Sequence, residues 1–344
     1  MRTLNVGLSG LGRAGWKHHA PHIGDHPGLI FTAAADPVAE RRAEAEQKFK
    51  VRTYADYGEM LAREKLDLVV IASPTHLHRE QALAAFERNM DVFCDKPLAP
   101  TLAGADEMIA AMKRAGRKLM VFQPHRAYSD AQTAKKIIDS GMLGPIFLLK
   151  RSMSGYVRRN DWQAQRRYGG GMVNNYGAHI VDQFIYLFGQ KVKTIECHLR
   201  RVATLGDAED VFKAIMQLEN GMLVDVDVNN ATAIPITPWL ICGRYGAAAL
   251  NEKRDGFKVR CFRPEEAPAA SLQEGIAAAN RSYDSAPPLP WREEEFPVSD
   301  TPALSFYKAC YEFFAEGRPP LVPIEQTREA IRVLEECRGC GLDA

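Results

Sequence analysis

Leu4-Asn5-Val6-Gly7-Leu8 opens the chain as a short apolar strand, and Gly10-Leu11-Gly12-Arg13-Ala14-Gly15 follows it directly. The second group matches G-x-G-x-x-G. Each glycine stands where a side chain would obstruct. Gly10 lets the chain turn sharply out of the strand, Gly12 lets the backbone approach a pyrophosphate, and Gly15 lets the next helix pack on the sheet. The first N–H groups of that helix have no partner inside it and lie at the positive end of its dipole. A second apolar strand, residues 29–35, ends at Asp36, which lies 21 positions after Gly15. That spacing suits a carboxylate that holds a ribose 2′-hydroxyl. Asp36 before Pro37 also reads as a helix N-cap, and one residue can serve both roles.

Outward from this unit, strand and helix alternate to about residue 122. A polar helical run extends to about Lys48. Residues 66–72 form a nearly continuous apolar strand, as expected where both faces are covered. A helix over 77–88, a strand over 91–94, a helix over 101–115 and a strand over 118–122 follow. This alternation predicts a doubly wound parallel sheet, whose ligands bind beyond the C-terminal strand ends. Ser73-Pro74-Thr75-His76 and Asp95-Lys96-Pro97 stand at two such ends.

After residue 122 the texture changes. A helix over 128–140 closes at Gly141, and strand candidates follow at 145–153, 191–201, 210–218, 221–229 and 238–250. Turns separate the last three, as in an antiparallel meander. Seven prolines between Arg263 and Pro302 suggest a long surface excursion. A final helix is expected over 325–338. The boundary therefore falls near 122, with a dinucleotide domain over 1–122 and a sheet-rich domain over 123–344.

Composition narrows the function. The 344 residues suffice for two domains, and a formal net charge of +1 argues against a general nucleic-acid or membrane-surface binder. No apolar run approaches the ~20 residues of a membrane span. The first strand begins almost at Met1, so no secretory leader is expected. Seven scattered cysteines fit a reducing, cytoplasmic setting. Cys337 and Cys340 form a C-x-x-C without a second pair nearby, so we read them as ordinary thiols and expect no metal.

Three places carry candidate chemistry. Lys96, between an acid and a proline, can hydrogen-bond a substrate hydroxyl or exchange a proton if burial lowers its pKa. It also reads as a surface lysine in a loop. In residues 169–182, Asn175, His179 and Asp182 recur at i, i+4 and i+7, with Tyr186 at i+11. That polar stripe lies apart from the apolar face of Val181, Phe184, Ile185 and Phe188, which suits a helix lining a cleft. A solvated face, or a histidine bonded to Asp182, fits the same spacing. The loop from Tyr156 to Tyr168 holds four arginines and one acid. It suits an acidic or polyhydroxylated ligand, or a solvated basic loop.

Together these pieces resemble the glucose–fructose oxidoreductase / inositol dehydrogenase / rhizopine catabolism (Gfo/Idh/MocA) family over nearly the whole chain. The resemblance rests on the glycine motif, Ser73 to His76 with His78, and Asp95-Lys96-Pro97 where the family usually has Glu-Lys-Pro. It rests also on Arg126, the Ser140 to Pro145 junction, Gly169 to Asp182, and Gly243 to Gly246. It implies a Rossmann domain plus an α+β domain with a large open, mainly antiparallel sheet, which commonly forms a homodimer or homotetramer interface. It implies NAD or NADP and a sugar, sugar acid or cyclic polyol substrate.

On this basis Gly10, Leu11, Gly12, Arg13, Ala14, Asp36, Ser73, Pro74, Thr75, His76, Asp95 and Lys96 are expected at the cofactor. Arg126, Tyr156, Trp162, Arg166, Asn175 and His179 are expected at the substrate. Lys96, His179 and Asn175 take the catalytic positions. His179 is expected as general base, Lys96 as polariser and relay, and Asn175 as a positioner. Asp36 favours NAD by repelling a 2′-phosphate, while Arg41 and Arg42 keep NADP open. Asn175 departs from the family's usual Asp, and an amide cannot accept a proton at neutral pH. Two rivals follow. One is a redox-neutral, NAD-dependent lyase or glycosidase-like enzyme. The other is a catalytically silent NAD-binding sensor.

Overall fold

The computed structural model describes residues 2–272 and 286–342. Its first sheet is built as the alternation requires. The elements in order are β1 (Leu4–Ser9), α1 (Ala20–Asp25), β2 (Leu29–Ala35), α2 (Ala39–Phe49), β3 (Arg52–Tyr54), α3 (Tyr57–Arg63), β4 (Leu68–Ile71), α4 (His78–Glu87), β5 (Asp91–Asp95), α5 (Leu102–Ala115) and β6 (Leu119–Phe122). The strands lie in the order β3-β2-β1-β4-β5-β6, and all pairs are parallel. The order reverses beside β1, the switch point where such sheets bind dinucleotides. Every residue of β4 and β6 is buried, which explains their unbroken apolar character. The short β3 and α3 lie in a stretch where sequence periodicity gave no element.

The second sheet has eight strands. After α6 (Ser129–Asp139) come β7 (Ile146–Ser154), α7 (Ala178–Phe188), β8 (Val192–Arg200), β9 (Val211–Leu218), β10 (Leu223–Asn229), β11 (Trp239–Gly243), β12 (Gly246–Leu250), β13 (Gly256–Cys261) and β14 (Arg292–Pro297). The order is β14-β13-β12-β11-β7-β10-β9-β8. The expected meander is corrected in two ways. The 238–250 candidate is a hairpin of two strands, turning at Arg244-Tyr245. And β7 inserts between β10 and β11, parallel to β10 and antiparallel to β11. The rest of the sheet is antiparallel, as anticipated. The proline-rich excursion contains the edge strand β14, while its residues 273–285 lie outside the described part. Glu293 and Glu295 of β14 sit opposite Arg260 and Lys258. Charges on an edge strand discourage pairing with other chains.

Two further helices complete the chain, α8 (Phe306–Glu316) and α9 (Ile324–Gly339). Phe306, Cys310 and Phe314 lie one turn apart along α8 and are buried in the core of the first sheet, with Phe93 and Phe122. The chain thus returns from the second sheet to close the first. Helix α9 instead packs Ala330, Val333, Leu334 and Cys337 into the core of the second sheet, with Val181 and Phe184 of α7. Among the described residues no helix is long and apolar enough to cross a membrane.

Candidate active site

The glycine turn has the shape its sequence demands. Gly10 has φ +93°, and a Cβ there would lie 2.7 Å from the Ala72 carbonyl oxygen. Gly12 differs, since a Cβ there would meet only Arg41 Nη1, at 4.0 Å. The space above Gly12 is open, which is what a pyrophosphate needs. Beyond the turn the chain winds as a π turn, Gly15–His19, into α1. Asp36 is buried, with Oδ2 accepting the Leu11 N–H at 2.7 Å and Oδ1 accepting the Val38 N–H at 2.9 Å. The N-cap reading is therefore corrected. Val38 occupies the cap of α2, and Asp36 closes the turn before it. Arg41 Nη1 lies 3.5 Å from the Asp36 carboxylate, while Arg42 donates to the Asp36 carbonyl at 2.8 Å.

The strand-end loops meet the turn. Ser73 Oγ and Ser9 Oγ both donate to Gln81 Oε1, at 2.8 and 3.0 Å. His78 is buried, with its ring nitrogens 2.9 Å from the Ser73 carbonyl and 3.0 Å from the Pro97 carbonyl. It ties the loop after β4 to the loop after β5. Pro74, Thr75 and His76 lie in a short helical turn at the first of these ends.

Lys96 reaches across to the second domain. Its Nζ donates to the Asn175 carbonyl at 3.1 Å. Burial lowers its pKa to about 8, with Asp95 opposing and Arg13 adding to the effect. Asp95 Oδ1 accepts the Lys96 backbone N–H at 2.7 Å, and Oδ2 lies 3.9 Å from His19 Nε2. Burial alone would raise the Asp95 pKa. His19, Lys96 and His78 outweigh it and hold the carboxyl below its usual range. Asp95 is therefore ionised beside a lysine that titrates near neutrality.

Residues 169–179 present the opposing groups. Gly171 has φ +106°, and a Cβ there would collide with the Glu209 carboxylate. Glu209 in turn accepts the Val173 N–H at 3.1 Å. A π turn over Val173–Gly177 then leads into α7. Such turns recur at functional sites. Here the turn aims the Asn175 carbonyl at Lys96, and Asn175 Nδ2 lies 3.4 Å from Gln163 Oε1. His179 follows, 7% exposed, and its ring stacks on His125 with centroids 3.7 Å apart and planes 5° from parallel. Among the described residues its Nδ1 is buried without a hydrogen-bond partner. Burial, then Lys96, His125 and Arg151, hold its pKa well below that of an ordinary histidine.

Two expectations change. Arg126 is 0% exposed, which runs against its expected place at the substrate. Its guanidinium grips Asp182 bidentately, Nε to Oδ2 at 2.7 Å and Nη2 to Oδ1 at 2.6 Å. Its Nη1 donates to the Leu321 carbonyl and to Gln326 Oε1. The stripe read as lining a cleft is therefore split. Asp182 and Tyr186 face Arg126, while Asn175 meets Lys96 and His179 stacks on His125. The alternative of a His179–Asp182 bond falls for the same reason.

Tyr156, Trp162 and Arg166 lie on an exposed loop. There Tyr156 is 60% and Trp162 51% exposed. Gln163, not read from the sequence, is the member of that loop that meets Asn175. His125 was also missed. Its imidazole lies next to Arg126 in sequence, and only the folded chain shows it against His179.

A glycine turn and a buried lysine at the strand ends of a parallel sheet, facing a buried histidine on α7, fit an NAD-binding oxidoreductase. Residues 4–123 match the family described as "Oxidoreductase family, NAD-binding Rossmann fold", and residues 131–248 match the "GFO/IDH/MocA C-terminal domain". The chain belongs to the Gfo/Idh/MocA family. It is 32% identical over 286 residues to the D-apiose dehydrogenase of Paraburkholderia graminis, covering 76% of this chain and 74% of that one. It is 29% identical over 294 residues to inositol 2-dehydrogenase 2 of Saccharopolyspora erythraea, covering 80% and 85%. An NAD-binding protein of Listeria innocua shares the fold, with a TM-score of 0.85 and 23% identity over 99% of this chain and 98% of that one.

Proposed function

We propose that this chain oxidises a secondary hydroxyl of a sugar, sugar acid or cyclic polyol, with NAD as acceptor. The observation that carries the reading is Lys96, a lysine with a pKa of about 8 held at the cleft by the Asn175 carbonyl, 3.1 Å away. The likeness to inositol and apiose dehydrogenases supports a hydroxylated substrate. Gly10 to Ala14, Asp36, Ser73 to His76 and Asp95 would hold NAD, which when bound supplies the hydride-accepting carbon. The proton roles are exchanged relative to the sequence expectation. Neutral Lys96 takes the hydroxyl proton. His179 stays neutral and serves as a hydrogen-bonding group for the same oxygen. The Asn175 amide positions a neighbouring hydroxyl.

Titration with NAD and NADP, followed by a polyol, sugar and sugar-acid panel read by NADH absorbance, tests this reading. NADH formation with one substrate class supports it. Tight NAD binding with product but no net NADH transfers the reading to the redox-neutral enzyme. Tight binding with neither moves it to the sensor.

Asp36 decides between cofactors in this reading. Asp36→Ala should weaken NAD about tenfold, the worth of a charge-assisted hydrogen bond. The same change should narrow the preference over NADP, because Arg41 then faces the 2′ position unopposed. Paired fluorescence titrations with the two cofactors check both effects. An unchanged NAD to NADP ratio would remove Asp36 from the ribose.

A further inference from the structure

We propose that His125 is a positioning residue for His179. It fixes the plane of that imidazole by face-to-face stacking and shields it from water. The proposal rests on His179 meeting the substrate, as proposed above.

A histidine at a reacting centre is usually oriented through its second ring nitrogen, which bonds a carboxylate or carbonyl. His179 has no such tie. Its Nδ1 is buried without a partner among the described residues, and the nearby acid on its own helix, Asp182, is committed to Arg126. What holds the ring is the His125 face, at 3.7 Å and 5°. His125 is itself stacked on Tyr128, with centroids 4.5 Å apart. The three rings form a ladder running from the N-terminal side of α6 to the start of α7. Near-parallel rings in contact at this distance leave little room for either to rotate out of plane.

The ladder also separates His179 from a cavity of about 490 Å³. Tyr128, Arg151, Ser152, Arg254 and Ser299 line that cavity with His125, and His179 does not. Removing the His125 ring would open the His179 face to water there. The titratable groups facing His179 are Lys96 from the loop after β5, Arg151 from β7, and His125 from the segment before α6, which burial keeps neutral with a pKa of about 3. Burial, then the charges of Lys96 and Arg151, oppose a second proton on the ring. Arg151 is fixed in place, its Nε donating to Gln183 Oε1 at 3.1 Å and its guanidinium 3.9 Å from the Trp239 ring centroid. Loss of His125 therefore removes much of the shielding and leaves the charges of Lys96 and Arg151 in place.

The test compares wild type with His125→Ala and His125→Phe, each saturated with NAD and carrying ¹⁵N-labelled histidine. His179 is assigned by its absence in His179→Gln. In wild type the His179 ring should stay neutral at pH values where an ordinary histidine is already protonated. In His125→Ala its proton affinity should rise at least tenfold, and kcat should fall about tenfold with the KM for NAD unchanged. The acid limb of log kcat/KM should steepen from slope one toward two. His125→Phe keeps a flat ring in place and should restore both readouts to near wild type.

An unmoved His179 titration in His125→Ala overturns the proposal. So does a Phe variant as impaired as the Ala variant, or a drop in thermal stability with titration and kcat intact. Should His125→Ala fail to fold, Tyr128→Ala loosens the exposed end of the same ladder. It should raise the His179 proton affinity in the same direction by a smaller factor, and no rise overturns the proposal. The nitrogen titration needs no turnover, so a silent substrate panel counts against the dehydrogenase reading without deciding this one.

Discussion

Replacing Lys96 with alanine should lower kcat about 10³-fold, roughly 4 kcal/mol of barrier, while the Kd for NAD moves less than about threefold. The size follows from what is lost. Neither neighbouring group replaces it near neutral pH, since His179 resists a second proton and Asn175 is an amide. Lys96→Arg separates proton transfer from simple charge. Arginine keeps the cation but cannot deprotonate in a protein, so turnover should be as low as in the alanine variant. The pH dependence has a definite sign. Oxidation needs neutral Lys96, so kcat/KM should rise about tenfold per pH unit up to the lysine's pKa of about 8 and then level off. Reduction needs the ammonium and should fall above the same pH. Asp95 opposes the downward shift of Lys96, so Asp95→Asn should move both breaks to lower pH. An oxidation profile flat from pH 6 to 9 would exclude Lys96 as the base.

Much of this site was legible before any coordinates. The glycine turn, Asp36 and Lys96 are local signals, set by a strand end and the few residues after it. Their positions follow from alternation and the switch-point rule. The triple glycine was legible for a related reason, because Gly171 is forced by the approach of Glu209. What the sequence hid depends on pairing across long separations. The insertion of β7 between β10 and β11 is a choice among strands that all alternate alike. Helix α8 had a readable stripe in Phe306, Cys310 and Phe314, but nothing local says that it docks on the first sheet. His125 carries no motif at all, and its partner lies 54 positions away in the chain. The spacing of Asn175, His179, Asp182 and Tyr186 misled in an instructive way. It placed them on one face, and that face is divided between the cleft and a buried arginine.

That arginine carries the second large effect. Arg126→Met should destabilise the fold by about 3–5 kcal/mol, the cost of leaving a buried carboxylate without its partner. Asp182 is 1% exposed and has no solvent to turn to. Arg126 also ties α7 to the α8–α9 connection through the Leu321 carbonyl and to α9 itself through Gln326, so its loss should loosen the place where the chain passes from α8 to α9. The effect is read as a lower thermal midpoint at a fixed scan rate. The double variant Arg126→Met, Asp182→Leu should recover most of it, because two apolar groups of similar bulk leave no buried charge. The pair of variants separates the two roles open to Arg126. A residue that bound substrate would, when replaced, raise KM and leave the midpoint alone, and the Asp182 change would not repair it. A strut behaves in the opposite way. The midpoint falls, kcat declines as His179 loses its fixed helix, and the second substitution restores both together.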